Sequence, residues 1–271
     1  MKKIFLAMTL LLTMLFTGCG GDQPKDSGGA EKSDQKKIVV GLDDEYPPMG
    51  FKDEKNEIVG FDVDLAKAAA KKLDMEVEFK GIDWSSKEAE LKSGRVDVLW
   101  NGLDITPERK ENMLFSDPYM DNRQIIFVRK GGDVQISSEA ELAGKAVGTQ
   151  AASTAEDYIN SQEQLKNSFK EFKTYGDYMS AFMELENGRM DAVICDEIVG
   201  RYYMSKHPDK IEALDVTVGP VSEFGIAFAK ENTALRDKVQ KAFDEIIADG
   251  TAKKISEEWF GVDLLKTKDK K

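Results

Sequence analysis

The chain has 271 residues, 41% of them hydrophobic and 32% charged, with a formal net charge of -12 at pH 7. That length accommodates one large domain or two lobes around a substantial core. The acidic balance argues against nucleic-acid binding, which needs basic patches facing phosphates.

The chain begins with Lys2 and Lys3, then the apolar run Ile4 to Phe16, "IFLAMTLLLTMLF", then "TGCGG". A basic start, a 13-residue apolar stretch and small residues form a secretory signal over residues 1–18. The stretch is shorter than the roughly 20 residues a comfortable transmembrane helix needs. Cys19, directly after Thr17 and Gly18, resembles the lipidation site of bacterial lipoproteins, although Phe16 stands where Leu or Val is more usual. The resemblance implies cleavage before Cys19 and lipid on its sulfur; an ordinary signal with an incidental cysteine is the alternative. The only other cysteine, Cys195, lies in "DAVICDE" and reads as a small buried residue. An exported chain with no disulfide framework and one terminal cysteine makes sense if that cysteine is an anchor. Residues 19–36, rich in Gly, Ser, Asp and Lys, read as a flexible tether.

Beyond the tether, strands and helices alternate. "KIVVGL" (Lys37 to Leu42) is a β-rich run, and "GFDVDLAKAAAKKL" follows with Phe61, Leu65, Ala69 and Leu73 at helical spacing. Asp62 and Asp64 lie in the first turn of that helix, where the macrodipole favours them. Val96 to Trp100 reads as a buried strand that gives way at Asn101, Gly102 and Asp104, and Thr106-Pro107 then fit the N-cap and first position of a helix. "AVGT" (Ala146 to Thr149) opens a second half as "VVGL" opens the first. "QIIFVRK" (Gln124 to Lys130) and "FGIAFAK" (Phe224 to Lys230) read as strands crossing between the halves. The helix "LRDKVQKAFDEIIADG" buries Leu235, Val239, Phe243, Ile246 and Ile247, and Gly250 ends it.

Two segments echo each other. "ELKSGRVDVLW" (Glu90 to Trp100) and "ELENGRMDAVI" (Glu184 to Ile194) match at Glu, Leu, Gly, Arg and Asp in one register, 94 residues apart. Each reads as a helix end, a left-handed glycine (Gly94, Gly188) and a buried strand. The echo predicts two α/β lobes of similar topology with mainly parallel sheets. Lobe 1 is expected over residues 37–123 and 224–264, lobe 2 with its hinge strands over 124–223, and a tail over 265–271. Ligands of open α/β sheets bind outside the carboxyl ends of the strands. Asp104 and Asp196, just beyond the echoed strands, therefore mark the two walls of a cleft.

The motifs "GLDDEYPPMGF", "VGFDVDLAKAAAKKL", "NGLDITPER", "FSDPY", "GTQAAST" and "DAVICDE" resemble the polar amino-acid members of the bacterial extracellular solute-binding protein family 3, in matching order across residues 37–263. The resemblance implies a two-lobed, type II periplasmic-binding-protein-like α/β fold with two hinge crossings. It implies capture of an L-amino acid by hinge closure and delivery to the permease subunits of an ABC importer. It further implies a monomer at the extracellular face of the bacterial cell membrane, held there through its N-terminal lipid, with no cofactor or metal.

Residue roles follow the same resemblance. Arg109 matches the arginine that clamps the ligand's α-carboxylate, and its planar fork suits that group. Ser153 and Thr154, at a helix start whose free N–H groups attract anions, match the lobe 2 pair on the same carboxylate, within the motif that also holds Gln150. Asp196 matches the acceptor of the α-ammonium. Tyr46 and Trp84 match the aromatic residues that sandwich the ligand side chain, and Asp43 a residue that reaches side-chain nitrogens. Asn101 and Gly102 supply the strand-end turn. Asp104 departs from the Ser or Thr of many relatives. It is free to receive the ammonium, to touch a cationic side chain, or to pair with Arg109 without ligand. The crowd of carboxylates near Tyr46 favours arginine or lysine as ligand, with cystine or glutamine as alternatives.

A carboxylate-based, dehydratase-like enzyme on the same fold is the competing reading. His207, the one histidine, lies in a polar stretch, so no Ser-His-Asp triad, Cys-His pair or histidine metal cluster can be assembled. A receptor's ligand-sensing domain is the third reading.

Overall fold

In the computed structural model the described residues are 37–266. The expected signal, Cys19, the tether and the tail beyond residue 266 lie outside them.

Lobe 1 opens with β1 (Lys37–Leu42) and a small sheet of β2 (Glu45–Tyr46), β3 (Gly50–Lys52) and β4 (Ile58–Val59). Helix α1 (Phe61–Lys72), β5 (Glu76–Gly81), α2 (Lys87–Lys92), β6 (Val98–Asp104), α3 (Pro107–Asn112), β7 (Met113–Phe115) and β8 (Met120–Asn122) follow. Lobe 2 holds β9 (Gln124–Arg129), β10 (Ala146–Gln150), α4 (Thr154–Ser161), α5 (Glu163–Ser168), β11 (Glu171–Tyr175), α6 (Tyr178–Glu186), β12 (Ala192–Asp196), α7 (Glu197–Lys206) and β13 (Ile211–Thr217). The chain then returns to lobe 1 as β14 (Ser222–Ala229), α8 (Thr233–Ala248) and α9 (Thr251–Phe260).

The two main sheets share one plan. Lobe 1 runs β5-β1-β6-β14-β7 with β8 also on β14, and lobe 2 runs β11-β10-β12-β9-β13. In each, three parallel strands meet an antiparallel fourth: β14 runs against β6, and β9 against β12. The expected mainly parallel sheets are therefore mixed. The physical reason is the double crossover, because the chain enters each lobe's sheet from the other lobe and not through a βαβ helix. The echoed segments occupy equivalent places, each a left-handed glycine (Gly94, φ 70°; Gly188, φ 73°) leading into the central strand β6 or β12.

Strand β6 is buried along its whole length, as a central strand covered on both faces must be. It does not give way at Asn101. It runs on to Asp104, which pairs with Phe224 of β14, while Asp196 is the last residue of β12. Nor do β9 and β14 each span both lobes. The chain leaves one sheet at Asn122 and joins the other at Gln124, and it returns between Thr217 and Ser222.

Helix α1 shows why the elements dock as they do. Its apolar stripe of Phe61, Leu65 and Ala69 faces the sheet and α8, and Phe61 meets Phe260 of α9 edge-on at 4.9 Å. Each such aromatic or aliphatic side chain removed from water contributes about 1.5–3 kcal/mol. Phe243 of α8 packs against Trp100 and Tyr119 at 5.6 and 5.9 Å between centroids. Ile247 is only partly buried, at the margin of that face. Leu265 is buried, and Lys266 pairs with Asp121 and Glu223 of lobe 1.

Candidate functional site

The carboxyl ends of β6 and β12 face each other, and almost every residue singled out from the sequence is buried between them. Asp43, Tyr46, Trp84, Asn101, Asp104, Arg109, Gln150, Ser153 and Asp196 are each no more than 7% exposed.

Each lobe 1 residue is set by local backbone. Tyr46 stands on β2 and Trp84 opens a short 3-10 turn, which Asp83 caps through the Ser85 N–H at 2.9 Å. Asn101 Oδ1 accepts the Asp43 N–H at 3.0 Å, fixing the loop after β1 to β6. Gly102 has φ 54°, and a Cβ there would lie 2.9 Å from the Tyr46 ring. Only glycine fits that approach. Thr106 caps α3 by accepting the Arg109 N–H, with Pro107 in the first turn, as expected. This cap turns Arg109 inward.

Contacts across the cleft join the lobes residue by residue. The Tyr46 hydroxyl donates to Asp196 at 2.7 Å, and its ring packs 6.0 Å from that of Tyr178. Gln150 Nε2 donates to Asp43 at 2.6 Å. The Thr154 hydroxyl donates to Asp104. Arg109 Nη1 donates to the backbone carbonyl of Asp104 at 3.1 Å, and Nη2 to the carbonyl of Ala152 in lobe 2 at 3.2 Å. Arg109 thus does not pair with the Asp104 carboxylate. That carboxylate is instead occupied by Thr154, Asn122 and Ser222. Ser153 caps α4, its Oγ accepting the Glu156 N–H at 3.1 Å.

Five contributors escaped the sequence reading, the buried Lys87 of α2 and four others. Asn122, the last residue before the crossing, donates to both Asp104 and Asp196. Gln124, just after it, donates to Asp196 at 2.6 Å. Ser222, at the return crossing, donates to Asp104. Asp62 in α1 is fully buried behind the strand end, accepting the Gly102 N–H at 2.6 Å and the Tyr119 hydroxyl at 2.8 Å. It does more than complement a helix dipole; it holds the glycine on which Tyr46 rests. The "DNRQ" stretch offers polar residues between apolar strands, but nothing in its spacing shows that it joins two carboxylates.

The electrostatics are those of desolvated acids held by neutral donors. Burial raises the Asp43 carboxyl from 3.8 to about 7, against the opposing pull of the Glu45 N–H and Gln150. Burial likewise raises Asp62 to about 7. Asp196 is raised to about 6 by burial and by the charge of Asp104, while Tyr46, Asn122 and Gln124 oppose the shift. The cleft is therefore rich in buried acid: Asp43, Asp104 and Asp196 lie at or just beyond strand ends with Arg109 as the buried cation among them, while the buried Lys87 is set beside Arg109, Asp157 and Glu88.

Residues 38–262 match the family of bacterial extracellular solute-binding proteins, family 3. The chain belongs to that family. Its members bind solutes for transport and are not enzymes, which removes the dehydratase-like alternative. The ABC transporter arginine-binding protein 1 of Escherichia coli is 36% identical over 96% of this chain and 99% of that protein. The L-cystine-binding protein TcyJ of the same species is 31% identical over 96% of both chains. Among solved structures, an ancestral arginine-binding protein bound to arginine is 41% identical, with a TM-score of 0.78 over 84% of this chain and 99% of that one. A Streptococcus pneumoniae substrate-binding protein with bound histidine gives a TM-score of 0.80 at 34% identity, covering 86% of this chain and 95% of that one. The two-lobed fold is thus accounted for.

Proposed function

We propose that the chain captures a cationic L-amino acid, arginine above all, and hands it to the permease subunits of an ABC importer. The observation that carries this reading is the charge balance of the cleft. Once ionised, the three buried carboxylates outnumber Arg109, the buried cation that donates into the cleft, and leave negative charge uncompensated. A ligand with a net charge of +1 reduces that deficit, whereas a zwitterion such as glutamine leaves it whole, and an unpaired buried charge is costly. Arg109 takes the α-carboxylate with Ser153 and Thr154, and Asp196 takes the α-ammonium with Asp104 beside it. Tyr46 and Trp84 flank the side chain, and Asp43 with Gln150 reaches its distal nitrogens. A guanidinium suits both a carboxylate and an aromatic face. The arginine-binding relatives support the same choice.

Capture proceeds by hinge closure about the crossings at Asn122–Gln124 and Thr217–Ser222, which excludes water and strengthens the charged contacts. The chain acts as a monomer at the outer face of the membrane, anchored by lipid on Cys19. Replacing Cys19 with Ala should release it from the membrane fraction.

The deciding experiment is thermal unfolding of purified, ligand-stripped protein with each L-amino acid and cystine added separately. A ligand at 100 times its Kd adds about 2.7 kcal/mol, several degrees for a chain of this size. A shift with arginine and a smaller one with lysine supports the reading. A shift only with glutamine or cystine overturns the cationic assignment.

A further inference from the structure

Lys87 carries one of the two buried cations of the cleft, yet the roles above give it no ligand atom to hold. Among the described residues it is the one buried lysine, 4% exposed at the start of α2. Its Nζ donates to the Ala152 carbonyl of lobe 2 at 2.9 Å and to the Trp84 carbonyl of its own lobe at 3.3 Å. It stands 5.1 Å from the centroid of the Trp84 ring. Both hydrogen-bond acceptors are neutral. Arg109 donates to the same Ala152 oxygen at 3.2 Å, so two cations of lobe 1 converge on one carbonyl of lobe 2.

The acidic groups around Lys87 are Glu88 on its own helix, Asp83 in the turn before it, and Glu156 and Asp157 on α4. None makes an ion pair with it among the described residues. Glu156 accepts the Ala152 N–H, and Asp157, its side chain 62% exposed, lies 3.8 Å from Arg109. Lobe 2 supplies one of the two carbonyls that hold the Lys87 ammonium, so withdrawing lobe 2 opens that side of it to water. Closure therefore exchanges the hydration of an ammonium for one neutral carbonyl and a neighbouring guanidinium. That exchange is unfavourable, because a buried charge is compensated only by an opposite charge or a full set of hydrogen bonds.

We infer that Lys87 opposes closure, acting as a positioning residue that holds back the closed state so that a captured amino acid can be let go. The ligand used to test it rests on the proposed function; the geometry does not. Burial, and then Arg109, lower the Lys87 pKa from 10.5 to about 8, with Asp157, Glu88 and Glu156 opposing. The closed form thus gives up the proton more readily than an exposed lysine does, and the opposition fades as pH rises above about 8.

The test compares the full-length wild type with Lys87→Met, which keeps the unbranched stem over Trp84, and Lys87→Gln, which keeps a donor for Ala152 without the charge. L-arginine affinity is measured by calorimetry at pH 7 and 9.5, and small-angle scattering gives the closed fraction without ligand. At least one variant should bind L-arginine about tenfold tighter than wild type at pH 7. Its advantage should shrink by roughly tenfold at pH 9.5, as the wild-type amine loses its proton. The ligand's own titration affects both proteins alike and cancels in the ratio. If neither variant gains affinity, or the ratio is the same at both pH values, Lys87 is no brake. If L-arginine binds to none of the three, the proposed ligand fails and scattering decides. A larger closed fraction in either variant at pH 7 then upholds the inference, and an equal one overturns it.

Discussion

The hydroxyl of Tyr46 in lobe 1 donates a 2.7 Å hydrogen bond to Asp196 at the end of the central strand of lobe 2. The carboxylate proposed for the ligand's ammonium is thereby tied to the opposite lobe by a neutral donor, and closure and ammonium recognition share one group. Tyr46→Phe keeps the ring on Tyr178 and removes only that donor. A hydrogen bond to a charged acceptor contributes about 1.5–3 kcal/mol. L-arginine affinity should fall roughly tenfold or more in calorimetry, with the fold intact by circular dichroism. Unchanged affinity would separate Tyr46 from the ligand site.

Arg109 is buried with both of its cleft hydrogen bonds on neutral carbonyls, Asp104 and Ala152, and its ion-pair partner Asp157, at 3.8 Å, is itself largely exposed. Arg109→Ala should weaken L-arginine binding by about 3 kcal/mol or more, over a hundredfold, because two charge-assisted bonds are lost. Arg109→Lys should recover only part of this, since a point charge cannot offer a fork. The decisive control is agmatine, which is arginine without its carboxylate. If Arg109 clamps that carboxylate, Arg109→Ala binds agmatine no worse than wild type does. An equal loss for both ligands would assign Arg109 elsewhere.

The fold was legible wherever one element's residues suffice. The strand Lys37–Leu42, the helix stripe through Phe61 and Leu65, the Thr106-Pro107 start and the paired glycines Gly94 and Gly188 all follow from local chemistry. What local chemistry could not supply was strand direction. Gln124–Arg129 carries the same β-rich pattern whether it runs with Ala192–Asp196 or against it. The site divides the same way. Asp104 and Asp196 stand at strand ends that periodicity can find, but Asn122 reaches both only because the crossing passes between them. Asp62 has a helix-dipole explanation in sequence, and only packing shows it accepting the Gly102 N–H.

The raised carboxyls give binding a definite pH dependence. Without ligand, Asp43 and Asp196 keep their protons up to about 7 and 6, against 3.8 for the ordinary group. The folded protein then binds more protons than the unfolded chain between pH 4 and 7. Their contribution to stability is fully present below pH 4 and is lost as pH rises through 6 to 7. A cationic ligand reverses the preference, because it binds the ionised acids and expels their protons. L-arginine affinity should therefore rise from pH 5 to 7.5, and calorimetry at pH 6 in buffers of different ionisation heat should register proton release. Asp43→Asn should reduce that release. Net proton uptake would count against a cation meeting these carboxylates.

Gly102 ties the fold to the site, and two glycines separate its two constraints. At Gly102, φ is 54° and a Cβ would lie 2.9 Å from the Tyr46 ring and 3.4 Å from Phe224. At Gly94, φ is 70° but a Cβ would meet nothing within 4 Å. Gly94→Ala therefore suffers backbone strain alone, about 1–2 kcal/mol. Gly102→Ala adds overpacking of about 1–3 kcal/mol, because its neighbours are buried rings that have little room to give. At about 2–4 °C per kcal/mol for a protein of this size, Gly94→Ala should lower Tm by a few degrees and Gly102→Ala by roughly twice that. The difference in binding should be sharper. Moving Tyr46 disturbs its bond to Asp196, so Gly102→Ala should weaken L-arginine binding well beyond what its Tm implies, whereas Gly94→Ala, at the far end of the strand, should leave affinity unchanged. Equal effects of the two substitutions on affinity would mean that Gly102 serves the strand and not the cleft.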